Sequence, residues 1–395
     1  MHIGAAQGPR RRVTFGGFPW VAVLLAVLAV PASGGGATAL DSGGTAGATV
    51  AVYTVTGILL DVRARTAARA RDLAITQGQR QALIRLLARL TLPEDRVRVT
   101  MPNDAAISGL IGGIELADEK SSATRYLATL TVRFRAPAVR HWLRHQNVPF
   151  SETRLRPVLV LPVFAAAGLR LLWETPNPWR TAWADYNTRN DLVPFIVPKG
   201  DLGDVALVSA LDVIQARRPA IDAVARRYQA GNILLAVARL DYVAPGRRPR
   251  LNVALRQFGA WGTDTRELNL EAAAGTTTAA AIADAVRTIA TDYENAWKRR
   301  TIIHFDERQS LQVSARLAGF QDWLDLKRRL RASALVPRIE ILSLTSTRAE
   351  LRIDFLGNFD QLAVSLAQSD VEIEARDGGY VIRERRPNGS DPQRQ

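Results

Sequence analysis

The chain has 395 residues, a formal net charge of +14 and no cysteine. Without a thiol there is no disulfide, no thiolate metal site, no thiol nucleophile and no covalently attached haem. A hydrophobic fraction of 47% is ordinary for a globular chain, and the length gives room for two or three domains, which excludes wholesale disorder.

The first residues have three parts. Arg10, Arg11 and Arg12 are basic, and no acidic residue precedes Asp41. Trp20 to Val30 is an apolar run of 11 residues, followed by Pro31, small residues and Ala37-Thr38-Ala39. That order is the signature of a secretory signal peptide over residues 1–39. The run is short of the roughly 20 residues that span a bilayer. An uncleaved anchor, lengthened by Phe15 and Phe18, is the alternative. Arg11-Arg12 is followed by residues that fit a twin-arginine signal poorly, so the general secretion route is expected. The missing cysteine excludes a lipoprotein. No later stretch reaches spanning length, so we expect a periplasmic or extracellular protein whose membrane contact is at most peripheral.

Four lysines leave 48 arginines. Such an excess suits an anionic partner, whether nucleic acid, lipid headgroups or an envelope polymer. The arginines are scattered, however, with no dense block and no interleaved aromatics, so no nucleic-acid partner is expected. With alanine also abundant, we read the charge as compositional. Binding to anionic polymer or lipid stays as an alternative.

Residues 40–49 are small and polar and read as a flexible linker. Residues 50–150 read as a small α+β domain. Tyr53, Val55 and Gly57 to Leu60 suggest a strand. From about Arg65 to Leu90, Ile75, Ala82, Leu83, Leu86, Leu87 and Leu90 recur at helical spacing until Pro93. Ile114 to Leu116 is a candidate short strand. Tyr126 to Phe134 alternates as a strand does. Pro137 opens a short helix through His145, closed by Asn147-Val148-Pro149.

Residues 155–303 read as a central α/β sheet domain. Pro157 to Phe164 is continuously apolar, which suits a strand buried on both faces. Leu169 to Trp173 is a second strand, and Pro178 opens a helix carrying Trp179 and Trp183. Pro219 to Gln229 reads as a helix, Ile233 to Leu240 and Leu251 to Phe258 as a hairpin, and Glu267 to Leu270 as a candidate further strand. Thr278 to Arg300 is a long helix with Ile282, Ala285, Val286, Ile289, Tyr293 and Trp297 on one stripe.

Residues 308–386 give the clearest pattern. Leu311 to Leu317 alternates as a strand. Phe320 to Leu330 reads as a helix with Phe320, Trp323, Leu324 and Leu330 facing in. Ile339 and Ile341 begin a second strand, Ala349 to Phe355 a third, and Asp360 to Gln368 a second helix. Val371 to Glu374 and Tyr380 to Ile382 offer the last strand. The order βαββαβ is that of a ferredoxin-like domain. Residues 387–395 are polar and read as a disordered tail.

Arg156 to Phe164, followed by Leu171-Leu172-Trp173, Pro176-Asn177-Pro178-Trp179-Arg180 and Trp183, resembles the uncharacterised proteobacterial envelope family known as domain of unknown function 2066. The resemblance would cover Tyr53 to Ile382. It implies a periplasmic setting and brings no catalytic residues. More loosely, the apolar strand with the later helix-Gly-strand from Tyr228 to Leu240 is similar to the N-terminal domain of TolB-type periplasmic proteins, an analogy of fold alone.

Catalytic motifs are missing. His141 and His145 lie four apart on a helix, where both can face one metal ion, with Glu152 or Asp185 as conceivable further ligands. No glutamate follows His141, the other mature histidine, His304, is remote, and two surface histidines are the simpler reading. No metal and no cofactor are expected. Gly109, Gly112 and Gly113 lack the Lys-Ser/Thr of a phosphate loop. No G-x-S-x-G elbow occurs. Asp201 with Asp204 and Asp118 with Glu119 are carboxylate pairs of the kind usually just solvated. The most informative segment holds Trp173, Asn177, Trp179, Arg180, Trp183 and Tyr186. Tryptophans on a rigid loop either anchor a partner or pack inward over the sheet. The reading reached here is a non-enzymatic interaction or assembly module with an envelope protein as its partner. A hydrolase or ligand-binding enzyme using carboxylates near this loop is the alternative.

Overall fold

The computed structural model describes residues 50–186, 190–241, 248–259, 262–273, 275–303, 308–333, 335–376 and 379–384, all within one compact unit. The expected signal peptide, the linker, His304 and the expected tail lie outside these residues. The described chain is a mixed α+β structure with three sheets.

The first sheet is built from β1 (Thr54–Arg63), β2 (Ile111–Ser121) and β3 (Arg125–Phe134), antiparallel in the order β1-β3-β2. Helix α1 (Ala67–Leu90) covers it. Thr66 caps α1 by accepting the Arg69 N–H at 3.2 Å. Its buried face is lined by Ala70, Ala74, Gly78 and Ala82, then by Leu83, Leu86, Leu87 and Leu90. The small residues let the helix lie close to the sheet. A Cβ on Gly78 would come within 2.6 Å of both Leu60 and Leu130. Two short helices follow, α2 (Pro93–Arg96) and α3 (Asp104–Leu110). Helix α4 (Ala136–His145) starts, as expected, with proline in its first turn. Strand β2 is much longer than the Ile114–Leu116 expected. It is an edge strand with mostly exposed side chains, so it carries little hydrophobic alternation to read.

The second sheet has the order β5-β4-β7-β8-β9, with β6 also pairing with β4. Its strands are β4 (Val158–Ala166), β5 (Leu169–Leu171), β6 (Phe195–Ile196), β7 (Asn232–Asp241), β8 (Arg250–Gly259) and β9 (Asp264–Glu271). β4 and β7 run parallel, and β7, β8 and β9 form an antiparallel meander. Helices α5 (Pro178–Asp185) and α9 (Thr278–Thr301) lie on one face. On the other lie α6 (Leu202–Leu207), α7 (Ala210–Ile214) and α8 (Arg218–Arg227). The continuous apolar run of β4 is explained by these two layers. Val158, Val160 and Phe164 join the core under α5 and α9, while Leu159, Leu161 and Val163 join the one under α7 and α8. The first of these cores runs on without a break into the interiors under the other two sheets.

The third sheet has the order β11-β12-β10-β14-β13. It comprises β10 (Arg308–Arg316), β11 (Arg338–Leu344), β12 (Arg348–Leu356), β13 (Val371–Arg376) and β14 (Gly379–Glu384), with helices α10 (Phe320–Ala332) and α11 (Phe359–Ala367). Where one last strand is expected, the chain makes a hairpin. β14 inserts parallel to β10 and leaves β13 at the edge. Two separate apolar sets, Val371 with Ile373 and Ile382, are buried by this arrangement. A second expectation is corrected on α10. Trp323, Leu326 and Leu330 are buried, but Phe320 is 68% exposed and Leu324 39% exposed. The helix meets the sheet along a narrow stripe, and Leu324 is turned about 100° away from Trp323.

Candidate functional site

The Trp173–Tyr186 segment is held from beneath by its own polar groups. Asn177 caps α5 by accepting the Arg180 N–H at 3.0 Å, and its Nδ2 donates to the carbonyls of Leu171 and Leu172 at 3.1 and 3.3 Å. The Asn177 side chain thereby ties the start of the helix to the end of β5. Trp179 is buried, and its Nε1–H donates to the Ala236 carbonyl of β7 at 2.9 Å. Trp183 is buried edge-on to Trp179, 5.8 Å between ring centroids, and also packs on Phe195. Trp173 is half-buried. Its Nε1–H donates to the Val208 carbonyl at 2.8 Å, and the Arg180 guanidinium sits over its ring. Arg180 also donates to the carbonyls of Pro198 and Lys199. The tryptophans are therefore packing residues, and of the two sequence readings the inward one describes them.

These residues also support a surface that lies outside the sequence expectations. A cleft of about 470 Å³ runs between α5 and α9. Pro178, Thr181 and Ala182 form one wall, Ala279 and Ala283 the other, with Asp185 and Arg287 also lining it. Ala279 and Ala283 are four apart on the outward face of α9, so their short side chains leave the space open. That spacing was the legible signal in the sequence. Of the acidic groups here, the Glu174 carboxylate is held below the usual carboxylate range first by its own backbone N–H and then by those of Leu172 and Trp173, which donate to it at 2.8 and 3.1 Å. Arg287 pairs with Asp284 at 2.9 Å. Asp185 has no hydrogen-bond or ion-pair partner among the described residues.

Tyr186 lines the cleft and backs onto a second polar group. Burial, reinforced by Glu294 and Asp191, pushes its phenol up to about 12. Glu294 of α9 is pushed up to about 7, first by burial and then by Asp191, against the opposing pull of Lys298 and Arg89. Arg89 of α1 pairs with Asp191 at 3.0 Å. Lys298, one turn beyond Glu294, donates to the Ala88 and Thr91 carbonyls at 2.9 and 3.2 Å. This cluster joins α1, the segment around Asp191 and α9.

The remaining sequence candidates are structural or isolated. His141 and His145 are exposed on α4. The conceivable ligand Glu152 is occupied, since Arg140 donates to both its oxygens at 2.7 and 2.8 Å and the Tyr53 hydroxyl donates to one of them. Among the described residues no group of three His, Asp or Glu side chains is placed to hold a metal. Asp201 caps α6, and the buried Asp204 accepts the Gly200 N–H at 2.8 Å and the Tyr228 hydroxyl at 2.7 Å, while Arg227 bridges both carboxylates. Glu119 accepts the Tyr126 hydroxyl on exposed β2.

No family model, no curated protein and no solved structure matches the chain. Among the described residues no helix is long and apolar enough to cross a membrane.

Proposed function

We propose that this protein is a non-enzymatic docking module of the bacterial envelope, which receives a segment of a partner protein in the cleft between α5 and α9. The observation that carries the reading is the cleft itself. Pro178, Ala182, Ala279 and Ala283 wall it, buried Trp179 and Trp183 anchor the helix that carries one wall, and the lining carboxylate of Asp185 has no partner among the described residues. Small apolar walls with a few polar groups at the rim suit a docked side chain or strand. With Glu174 consumed by backbone amides, the cleft has no second free carboxylate to work with Asp185 in hydrolysis. The signal-like N-terminus supports export, and the resemblance of Arg156 to Trp183 to the envelope family supports the setting. We also read the third sheet with α10 and α11 as a ferredoxin-like unit with one strand, β14, inserted beside β10, and the second sheet as the TolB-like α/β unit.

The test is photo-crosslinking in intact cells, with the crosslinking residue at Thr181, at Ala283 and, as a control, at Ser122 on the distant β2–β3 turn. The expected result is one envelope protein captured from both cleft positions, not from Ser122, and lost when Ala182→Arg fills the cleft of a still-folded protein. Equal capture from all three positions, or none from the cleft, overturns the reading.

A further inference from the structure

A second surface, independent of the cleft, lies on the third sheet. Asp322 and Leu326 of α10 line a cavity with Glu372, Ile382, Arg383 and Glu384, so that flank of the helix faces β13 and β14. Arg329, on the same flank, reaches the Asp370 carbonyl at 3.3 Å and Glu384 at 3.4 Å. At 100° per residue, Phe320, Leu324, Lys327 and Arg331 share the opposite flank, towards β12 and the free edge β11. That edge is apolar too. Ile341 and Leu344 pair across the ladder with Leu351 and Ala349, which are buried under the helices. Opposed residues of a ladder point to one face. Ile341 and Leu344 therefore point into the helical layer, yet they are 44% and 41% exposed because nothing among the described residues covers the edge.

Beside this patch, Glu340 of β11 is neutralised by Arg352 at 3.2 Å. Arg328 pairs with Asp325, but Lys327 and Arg331 have no acidic partner among the described residues. The Lys327 ammonium lies over the Trp323 ring, its stem along the helix. An exposed phenylalanine and leucine followed on the same stripe by cations without an acidic partner among the described residues match a bilayer interface. Apolar tips enter the acyl boundary, and long basic side chains reach back to anionic headgroups.

We propose that the α10 flank bearing Phe320, Leu324, Lys327 and Arg331, continued by the apolar edge of β11, docks this protein peripherally on an anionic membrane surface.

The experiment is co-sedimentation of the full-length folded protein with vesicles of equal parts phosphatidylglycerol and phosphatidylcholine, and with vesicles of phosphatidylcholine alone. We expect retention on the anionic vesicles only. Phe320→Ser with Leu324→Ser should weaken it about fivefold or more, and Lys327→Glu with Arg331→Glu on the order of tenfold or more. All four side chains lie outside the packed core, and an unchanged thermal melting curve checks that the variants fold. Arg226→Glu with Arg239→Glu, on other exposed surfaces, is the charge-matched control and should bind as the parent does. Equal loss in the control shows diffuse electrostatic attraction and overturns the proposal. So does wild-type-like binding by the Phe320/Leu324 variant. A concentration-dependent dimer that this variant abolishes overturns it in favour of a second copy of the chain on the patch.

Discussion

The Lys298 ammonium of α9 donates to the Ala88 carbonyl of α1 at 2.9 Å and to the Thr91 carbonyl at 3.2 Å. The last carbonyls of a helix have no partner within it, and these two are supplied by a helix more than 200 residues away in sequence. The bond fastens the first sheet to the second. Lys298→Met keeps the stem and removes the donors. We expect a loss of about 2 kcal/mol at pH 8, read as a fall in urea midpoint. The loss should shrink at pH 5, where Glu294 takes up a proton and no longer needs the neighbouring cation.

Glu294 gives the fold a pH dependence whose sign follows from its raised pKa. Its folded value of about 7 lies above the ordinary 4.5, so folding favours the protonated form. That contribution is fully present below about pH 4.5 and is lost as pH rises to about 7. In Glu294→Gln this part of the titration disappears. Denaturant unfolding at pH 5, 6, 7 and 8 should show the variant gaining on the parent as pH rises. A constant difference across the series contradicts the assignment.

Trp179 and Trp183 are both buried, but their N–H groups differ. That of Trp179 donates to the Ala236 carbonyl, whereas Trp183 Nε1 has no hydrogen-bond partner among the described residues. Trp179→Phe should therefore destabilise by about 1 to 3 kcal/mol more than Trp183→Phe, since only the first leaves a buried carbonyl unmet. Trp179→Ala should cost about 3 to 5 kcal/mol. Equilibrium unfolding of the three variants checks the order. Any loss of partner capture in Trp179→Ala then reports lost packing.

Gly78 lies in the middle of α1, where alanine would ordinarily stabilise the helix by about 1 kcal/mol. Here the added methyl meets Leu60 and Leu130, both buried, at 2.6 Å. Overpacking of this kind costs about 1 to 3 kcal/mol. We expect Gly78→Ala to lower the melting temperature, and a rise would mean that the two leucines move aside freely.

The strongly periodic elements were readable in the sequence because one local pattern decided each. α1, β3, β12 and α9 each bury a regular set of side chains, so the spacing of apolar residues already states which face is covered, while the unbroken apolar run of β4 states that both are. β2 is less legible because an exposed edge strand is held by backbone pairing, to which side-chain pattern contributes little. The exposure of Phe320 and Leu324 is not legible because a helix period says which residues share a side but not how wide the contact is. The final hairpin reads as one strand because two short apolar sets, Val371 with Ile373 and Ile382, look locally like an interrupted strand.

Of the candidate site, composition and spacing picked out the Trp173–Tyr186 segment, and the absence of motifs narrowed its chemistry. Tertiary structure decided what that segment does. It turned Trp179 and Trp183 inward, set Ala279 and Ala283 of α9 opposite Ala182, and gathered Glu294, Asp191, Arg89 and Lys298 from three places in the chain. Periodicity acts over a few residues and fixes which elements form. Clefts and buried charges depend on which elements meet, and that is settled only when distant surfaces compete for the same core.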